Sequence, residues 1–333
     1  MRETLLLRYD EVEKLFDVRK ILDAVELAFR DKGLGLVEMP PKVYVFFREY
    51  NGDFRVMPCY MKGLGAAGVK VVNVHPNNLG KGMRSVMALI ELIDPETGFP
   101  LAVMDGTMIT AWRTGAAGGI AAKYLARKDS RVLGIIGAGV QGRMQTLFTL
   151  HTMPSIEEIV VWDLRREAAE NYRKDVKNTI DVNVRIASSP REVVEASDIL
   201  ATCTPARQPV VKGEWVRKGL HINAIGADAP GKRELETAVL LKADKIVVDD
   251  YEQASHSGEI NVPLSNNEIT KDKIYGEIGE IVAGNKKGRE REDELTIFDS
   301  TGLAIQDISV AYKLYLEALN QGLGTKVRLV KID

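Results

Sequence analysis

Three glycines at the spacing G-x-G-x-x-G, in GAGVQG at 137–142, follow an apolar run, RVLGII, and precede a stretch with helical spacing, VQGRMQTLFTLHTM. In that setting each glycine has a separate duty. Gly137 permits a tight turn, Gly139 lets the backbone approach a diphosphate, and Gly142 lets the helix lie close to the strand. The start of the helix supplies unpaired N–H groups and the positive end of its dipole, which suits an anion. A second apolar run, EEIVVW, ends in Asp163. A carboxylate there accepts hydrogen bonds from ribose hydroxyls and repels a 2′-phosphate. The pattern therefore predicts NAD over NADP, a preference that Arg165 and Arg166 just beyond can soften.

A second group of residues has the chemistry to act on a substrate. HINAIGADAPGK at 221–232 places one carboxylate, Asp228, in a loop of Gly, Ala and Pro at the mouth of an apolar strand. Alone, such an Asp is a turn former. In a doubly wound sheet, however, ligands bind beyond the carboxyl ends of the strands, where Thr204–Pro205 and Ser300–Thr301 also fall. Asp228 is thus expected where a nicotinamide ring meets its reaction partner. Lys70 lies inside the apolar run GVKVVNVHP, where its burial is costly without a partner. Arg113 opens a small-residue helix, and Lys42 and Arg55 sit on neighbouring predicted strands. Singly these cations have ordinary uses, a surface charge or a structural salt bridge. Together they can hold a carboxylate and polarise a carbonyl or imine.

The elements that must position these groups alternate in the middle of the chain. Apolar strands at RVLGII, EEIVVWD, NVRIA, DILATCT, GLHINAIG, KIVVDD and LTIFDS are separated by helical patterns, among them PREVVEASD and KRELETAVLLKA. That rhythm predicts a parallel sheet covered on both faces, a Rossmann-type α/β domain. The first part reads as a helix, VRKILDAVELAFRDKG, then antiparallel strands at PKVYVFF, FRVMPCY, GAAGVKVVNV and RSVMALIELID, then the helix AWRTGAAGGIAAKYLA. At the far end AIQDISVAYKLYLEALNQG is an amphipathic helix closed by Gly322, followed by a strand-like KVRLVKI. The predicted division is a substrate and dimerisation domain of α+β type, 1–127 with 306–333, interrupted by the nucleotide domain, 128–305.

Composition narrows the class. With 45% hydrophobic residues the chain can build a sizeable core, and a net charge of −2 gives no pull toward nucleic acid or an acidic membrane surface. No apolar run spans a bilayer, and the charged start, MRETLLLRYDEVEKLF, lacks a signal peptide's apolar region. Cys59 and Cys203 stand apart, and the histidines do not cluster with Cys or Asp, so a reduced, cytoplasmic protein without a metal site is expected. The charged run KKGREREDE at 286–294 reads as a solvated connector.

KVVNVHPNN at 70–78, RTGAA at 113–117, GAGVQG, HINAIGADAPGK and FDSTG at 298–302, ordered along nearly the whole chain, resemble the signatures of the ornithine cyclodeaminase/mu-crystallin family. Within it, MPPKVY, FRVMP, ETGFPLAVMD, EQASHSGEIN and FDSTGLAIQD are most similar to the archaeal-type alanine dehydrogenases. The resemblance implies a Rossmann domain inserted in a substrate domain whose sheet pairs across a homodimer. It implies that Lys70 faces the substrate carbonyl, that Asp228 is the acid/base, and that Arg113 lies near cofactor and substrate. Cyclodeaminases carry a glutamate for the distal amine of ornithine where this chain has Arg55, and an arginine there repels an ammonium and attracts a carboxylate.

The expected activity is NAD-dependent interconversion of L-alanine with pyruvate and ammonia. Lys42, Arg55 and Arg113 hold the carboxylate, Lys70 polarises the C2 carbonyl, and Asp228 moves protons. Burial would raise the Asp228 pKa and Lys70 would lower it, and the sequence leaves the winner open. The expected cofactor contacts are Thr114, Gly137, Ala138, Gly139, Val140, Gln141, Asp163, Arg165, Thr204, Pro205, Ile225, Gly226, Lys232 and Ser300. Alternatives on the same fold are a cyclodeaminase turning ornithine to proline, a cyclic-imine reductase, and a mu-crystallin-type binding protein without turnover.

Overall fold

The computed structural model describes residues 2–331. The chain forms two compact units. The first runs to Arg113 and resumes at Leu303, and the second is Thr114–Gly302.

Alternating apolar residues build the first unit's sheet. Its strand order is Thr325–Val327, Thr4–Leu7, Pro100–Asp105, Val86–Ile93, Ala66–Val74, Gly52–Met61 and Val37–Glu38, with Val43–Phe47 also paired to Gly52–Met61. All pairings are antiparallel except that of Thr4–Leu7 with Pro100–Asp105. The start of the chain thus holds a strand at Thr4–Leu7 before its amphipathic helix Tyr9–Lys14. The period of two puts one set of side chains on each face. Arg55, Met57 and Cys59 fall on a buried face with Ala66, Lys70 and Val72 of the next strand. The helix Ala304–Gln321 lies on the central strands of this sheet and packs against the helix Val18–Gly33. Gly322, in the left-handed conformation at φ 67°, closes it as its position predicts. The other face carries an apolar row in register, Val43, Val56, Val71 and Leu89, of which Leu89 is 59% exposed.

The second unit holds an eight-stranded, wholly parallel sheet with buried apolar layers on both sides. The order is Asn183–Ile186, Glu158–Trp162, Val132–Ile136, Ile199–Thr202, His221–Ala224, Thr296–Asp299, Lys245–Val248 and Ile274–Glu277. Strand order reverses beside Val132–Ile136, and the glycine turn begins at its carboxyl end.

Several local readings change. The division between units lies inside the helix Thr107–Leu125, upstream of position 128. Its glycine-rich half belongs to the second unit because Gly115 and Gly119 bring it against the helix Val140–Thr152. A Cβ on Gly115 would stand 2.6 Å from the Phe148 ring, and one on Gly119 2.8 Å from the Phe148 carbonyl. The helix expected from Lys232 starts only at Thr237. Residues before it are extended: Val211 bridges Leu235, and the Glu234 carbonyl accepts from Val210 and Val211. The final strand is confined to Thr325–Val327. The run at 286–294 is not merely solvated. Glu294 is buried, and the Arg289 guanidinium donates to the carbonyls of Leu125 and Glu294.

Gly68 sets how closely the helix Ala304–Gln321 approaches the sheet, since a Cβ there would collide with the Glu91 carbonyl and stand 2.9 Å from Ile308 Cδ1. Gly68→Ala is expected to destabilise by about 1–3 kcal/mol, the usual cost of overpacking. An unchanged urea midpoint would contradict this close fit.

Candidate functional site

The buried sheet face of the first unit gathers the cations expected to hold substrate. Lys70 is fully enclosed, and its Nζ lies 2.6 Å from Asp307 Oδ2. Asp307 also accepts from Arg113 Nε at 2.9 Å, and Arg113 Nη1 reaches Gln306 Oε1 at 3.0 Å. Lys70, Asp307 and Arg113 therefore form one buried chain of charge, continued to Gln306. Arg55 sits on the same face, two residues from Met57, the cross-strand neighbour of Lys70. Its guanidinium stands 5.2 Å from the Tyr44 ring centre and pairs with Asp53 at 2.8 Å. Lys42 flanks the same ring at 6.0 Å.

Burial pushes the Lys70 ammonium down to about 7. Asp307 opposes the fall, while the charges of Arg113 and Lys42 add to it. Lys70 is thus placed to exchange a proton near neutrality, which an ordinary lysine cannot do.

Asp307 and Gln306 are partners of these cations that the sequence pattern alone does not point out. Part of the signal was present: a lysine inside an apolar strand requires a partner, and AIQD supplies both an amide and a carboxylate on the first turn of a helix. Arg113 does form the salt bridge that was its ordinary alternative, so that contact is structural whatever else the side chain holds.

In the second unit the glycine turn has the expected build. Gly137 is at φ 102°, and a Cβ on it would stand 2.8 Å from the Cys203 carbonyl, across the point where strand order reverses. Gly142 lies against the Gly137 carbonyl. Gly139, before the helix Val140–Thr152, has open space on its Cβ side. Asp163 braces the turn itself: Oδ2 accepts from Ala138 N and Oδ1 from Arg165 N, both at 2.9 Å. A cavity of about 230 Å³ opens beside it, lined by Trp162, Asp163, Leu164, Ile186 and Ala187. Gln141 Oε1 and Ser300 Oγ are buried without a hydrogen-bond partner among the described residues. An open turn, a cavity beside a strand-end carboxylate and orphaned polar atoms at predicted contacts together fit a dinucleotide.

The remaining predicted contacts of this unit are partly engaged with the protein. Thr114 O accepts from Gln145, and Ile225 N donates to the Thr202 carbonyl. Thr204 N and Gly226 N both donate to Glu234. Val140 is 57% exposed at the start of its helix. Asp228 is held by Lys232, whose Nζ lies 2.6 Å from Oδ1. Lys232, expected as a cofactor contact, thus also places a cation on Asp228.

The model of the ornithine cyclodeaminase/mu-crystallin family matches residues 2–322. An alanine dehydrogenase of Archaeoglobus fulgidus is 52% identical over 330 residues, spanning 99% of this chain and 100% of its own. A Delta(1)-pyrroline-2-carboxylate reductase of Bacillus cereus is 34% identical, spanning 97% of this chain and 99% of its own. Among solved structures, an archaeal alanine dehydrogenase dimer with bound NAD superposes with a TM-score of 0.94 at 50% identity, over 99% of this chain and 100% of the other. The Thermococcus litoralis Delta(1)-pyrroline-2-carboxylate reductase in complex with NADH and L-proline gives a TM-score of 0.94 at 43% identity, over 97% and 100%.

Because Asp307 raises the Lys70 pKa, Asp307→Asn is expected to move the Lys70 titration below its value of about 7. Lysine Nζ NMR across pH 5–9 reads this directly (a range on the order of two units either side of neutrality). An unchanged or higher midpoint would show that Asp307 does not govern this proton.

Proposed function

The chain belongs to the ornithine cyclodeaminase/mu-crystallin family, and we propose that it is an NAD-dependent alanine dehydrogenase that interconverts L-alanine with pyruvate and ammonia. One observation carries the choice of a small 2-oxo acid over a diamino acid: Arg55, beside Lys42 on the Lys70 face of the sheet. That face favours the carboxylate of a small 2-oxo acid and disfavours the second ammonium of a diamino acid. The build of the glycine turn and the relatives solved with NAD or NADH support the cofactor.

The chain's residues divide the work. Lys42 and Arg55 anchor the substrate carboxylate, with the edge of Arg113 not engaged by Asp307 and Gln306. Gly139, Gln141, Asp163 and Ser300 hold NAD, which when bound takes up or supplies the hydride at C2. In the reductive direction charged Lys70 polarises the C2 oxygen and lends it a proton; in the oxidative direction neutral Lys70 accepts one. Asp228, held through Oδ1 by Lys232, moves the protons of ammonia addition and water loss. Arg113 acts on substrate only while Asp307 keeps it in place.

A second reading is reduction of a cyclic imino acid. It draws support from the pyrroline-2-carboxylate reductases at 43% and 34% identity. The same cations would hold its carboxylate, and Lys70 would polarise C=N in place of C=O. The apolar row Val43, Val56, Val71 and Leu89 supports a homodimer, and a mutually buried sheet face is the means we propose. Free Cys59 and Cys203 agree with a cytoplasmic setting.

Absorbance at 340 nm with NADH, ammonium and pyruvate tests the main reading (a wavelength chosen for NADH at roughly its reduced-nicotinamide band). Rapid loss is expected in the parent protein, with Lys70→Ala and Asp228→Ala slower by about 10²–10⁴-fold. Turnover of pyrroline-2-carboxylate but not pyruvate would replace it with the second. In the oxidative direction kcat/KM is expected to rise through about pH 7 as Lys70 loses its proton. A profile flat from pH 6 to 8, roughly the span over which such a group titrates, would remove Lys70 as the base. Leu89→Glu is expected to yield monomers by light scattering, and an intact dimer would displace the interface from this face.

A further inference from the structure

Beneath the strand ends of the second unit lies a series of buried carboxylates to which the proposed reaction gives no part. Glu234, Glu259 and Asp299 are all fully enclosed. Glu234 Oε1 accepts from Thr204 N at 2.6 Å and Oε2 from Gly226 N at 2.8 Å. Those two N–H groups stand on different loops, one after the strand Ile199–Thr202 and one after its neighbour His221–Ala224. Glu234 is fixed in turn. Its own N–H donates to Glu259 Oε1 at 2.7 Å, and the Leu235 N–H donates to Oε2 at 3.1 Å. Asp299 Oδ2 then accepts from Ile260 N at 3.2 Å.

Glycines leave the room these acids need. A Cβ on Gly226 would collide with the Thr204 carbonyl and stand 2.6 Å from the Glu234 carboxyl, and one on Gly258 would strike the Asp299 carboxyl. Among the described residues no group of acidic, His or Cys side chains is arranged to hold a metal ion. The carboxylates serve backbone N–H groups. Burial alone would push acids so placed upward, and Asp299 rises to about 7. An apolar residue at 234 would fill the same space, but it would leave two loop N–H groups without an acceptor.

We infer that Glu234 is a positioning residue for the cofactor: one carboxylate ties together the loops that begin at Cys203 and Ile225 and so sets the seat of the nicotinamide half of NAD. This rests on the NAD reading above. Glu234 itself need not touch the ligand. A glutamine keeps its size but presents one acceptor and one donor, so it cannot receive both N–H groups. An aspartate keeps the carboxyl group but is shorter by one methylene, so it reaches at most part of the pair.

Fluorescence titration with NADH tests the inference without any substrate. It is combined with hydrogen exchange over 203–206 and 225–228 and a thermal midpoint. Glu234→Gln is expected to bind NADH about ten- to a hundredfold more weakly, the scale of one buried N–H left without an acceptor. Both loops should exchange faster, KM for NADH should rise, and KM for the oxo acid at saturating NADH should not. Glu234→Asp should fall between the parent and the glutamine variant, and it carries the comparison if the glutamine variant does not fold. Unchanged NADH affinity with unchanged loop exchange in a parent that binds NADH would overturn the inference alone. A parent that does not bind NADH would overturn the cofactor reading and the inference together. Faster exchange throughout the second unit, in step with a lower thermal midpoint, would make Glu234 a core residue and no more.

Discussion

The pair formed by Lys70 and Asp307 is the constraint to which the first unit is built. Neither side chain reaches water, and the two atoms stand 2.6 Å apart. Burying both charges is expensive, and a pair of apolar residues of like size would cost less. The fold bears that cost with a sheet face alternating in strict period and a helix whose first turn presents Asp307, where the dipole favours a negative charge. Gly68 brings the helix close enough for the two to meet. Arg113 binds the second oxygen of the same carboxylate. A helix displaced by one turn would strand three charges in an apolar layer, which makes this packing discriminating even where it is not stabilising.

That arrangement also explains how an amine acquires a working pKa. Desolvation alone would leave Lys70 neutral, and a carboxylate alone would hold it charged. Their opposition, with Arg113 and Lys42 on the desolvating side, brings it to about 7. The unit tunes one proton by setting strong opposing influences against each other, so modest changes in any neighbour move it a long way. The second unit treats its acids differently. Glu234, Glu259 and Asp299 meet backbone N–H groups in place of cations, so their effect is on loop geometry.

Much of this was legible in the residues. Glycine spacing behind an apolar run located the turn, because steric demand at each of those positions is local. Alternation placed the strands, and the cost of burying Lys70 flagged it. Partners distant in the chain were not legible. Asp307 lies far along the sequence from Lys70, and only the packing of a helix onto a sheet makes them neighbours. The contact of Lys232 with Asp228, four residues apart in a glycine loop, is equally hidden from a local pattern. The helix expected from Lys232 failed for a similar reason. Good helix formers over 232–236 are overridden by pairing with 210–211 and by the Glu259 carboxylate, neither of which a local pattern reveals.

The two leading glycines of the turn record different kinds of history. Gly137 is fixed by the fold alone: its φ of 102° and the Cys203 carbonyl at 2.8 Å exclude a side chain whether or not anything binds. Gly139 has an ordinary φ of −83° and no neighbour on its Cβ side, so the protein by itself would accept alanine there. No contact of the fold demands its smallness, whereas a diphosphate bound as proposed would. In a lineage of this fold that had abandoned its nucleotide, position 137 would stay glycine while 139 drifted, so 139 is the site at which descent and use can be told apart.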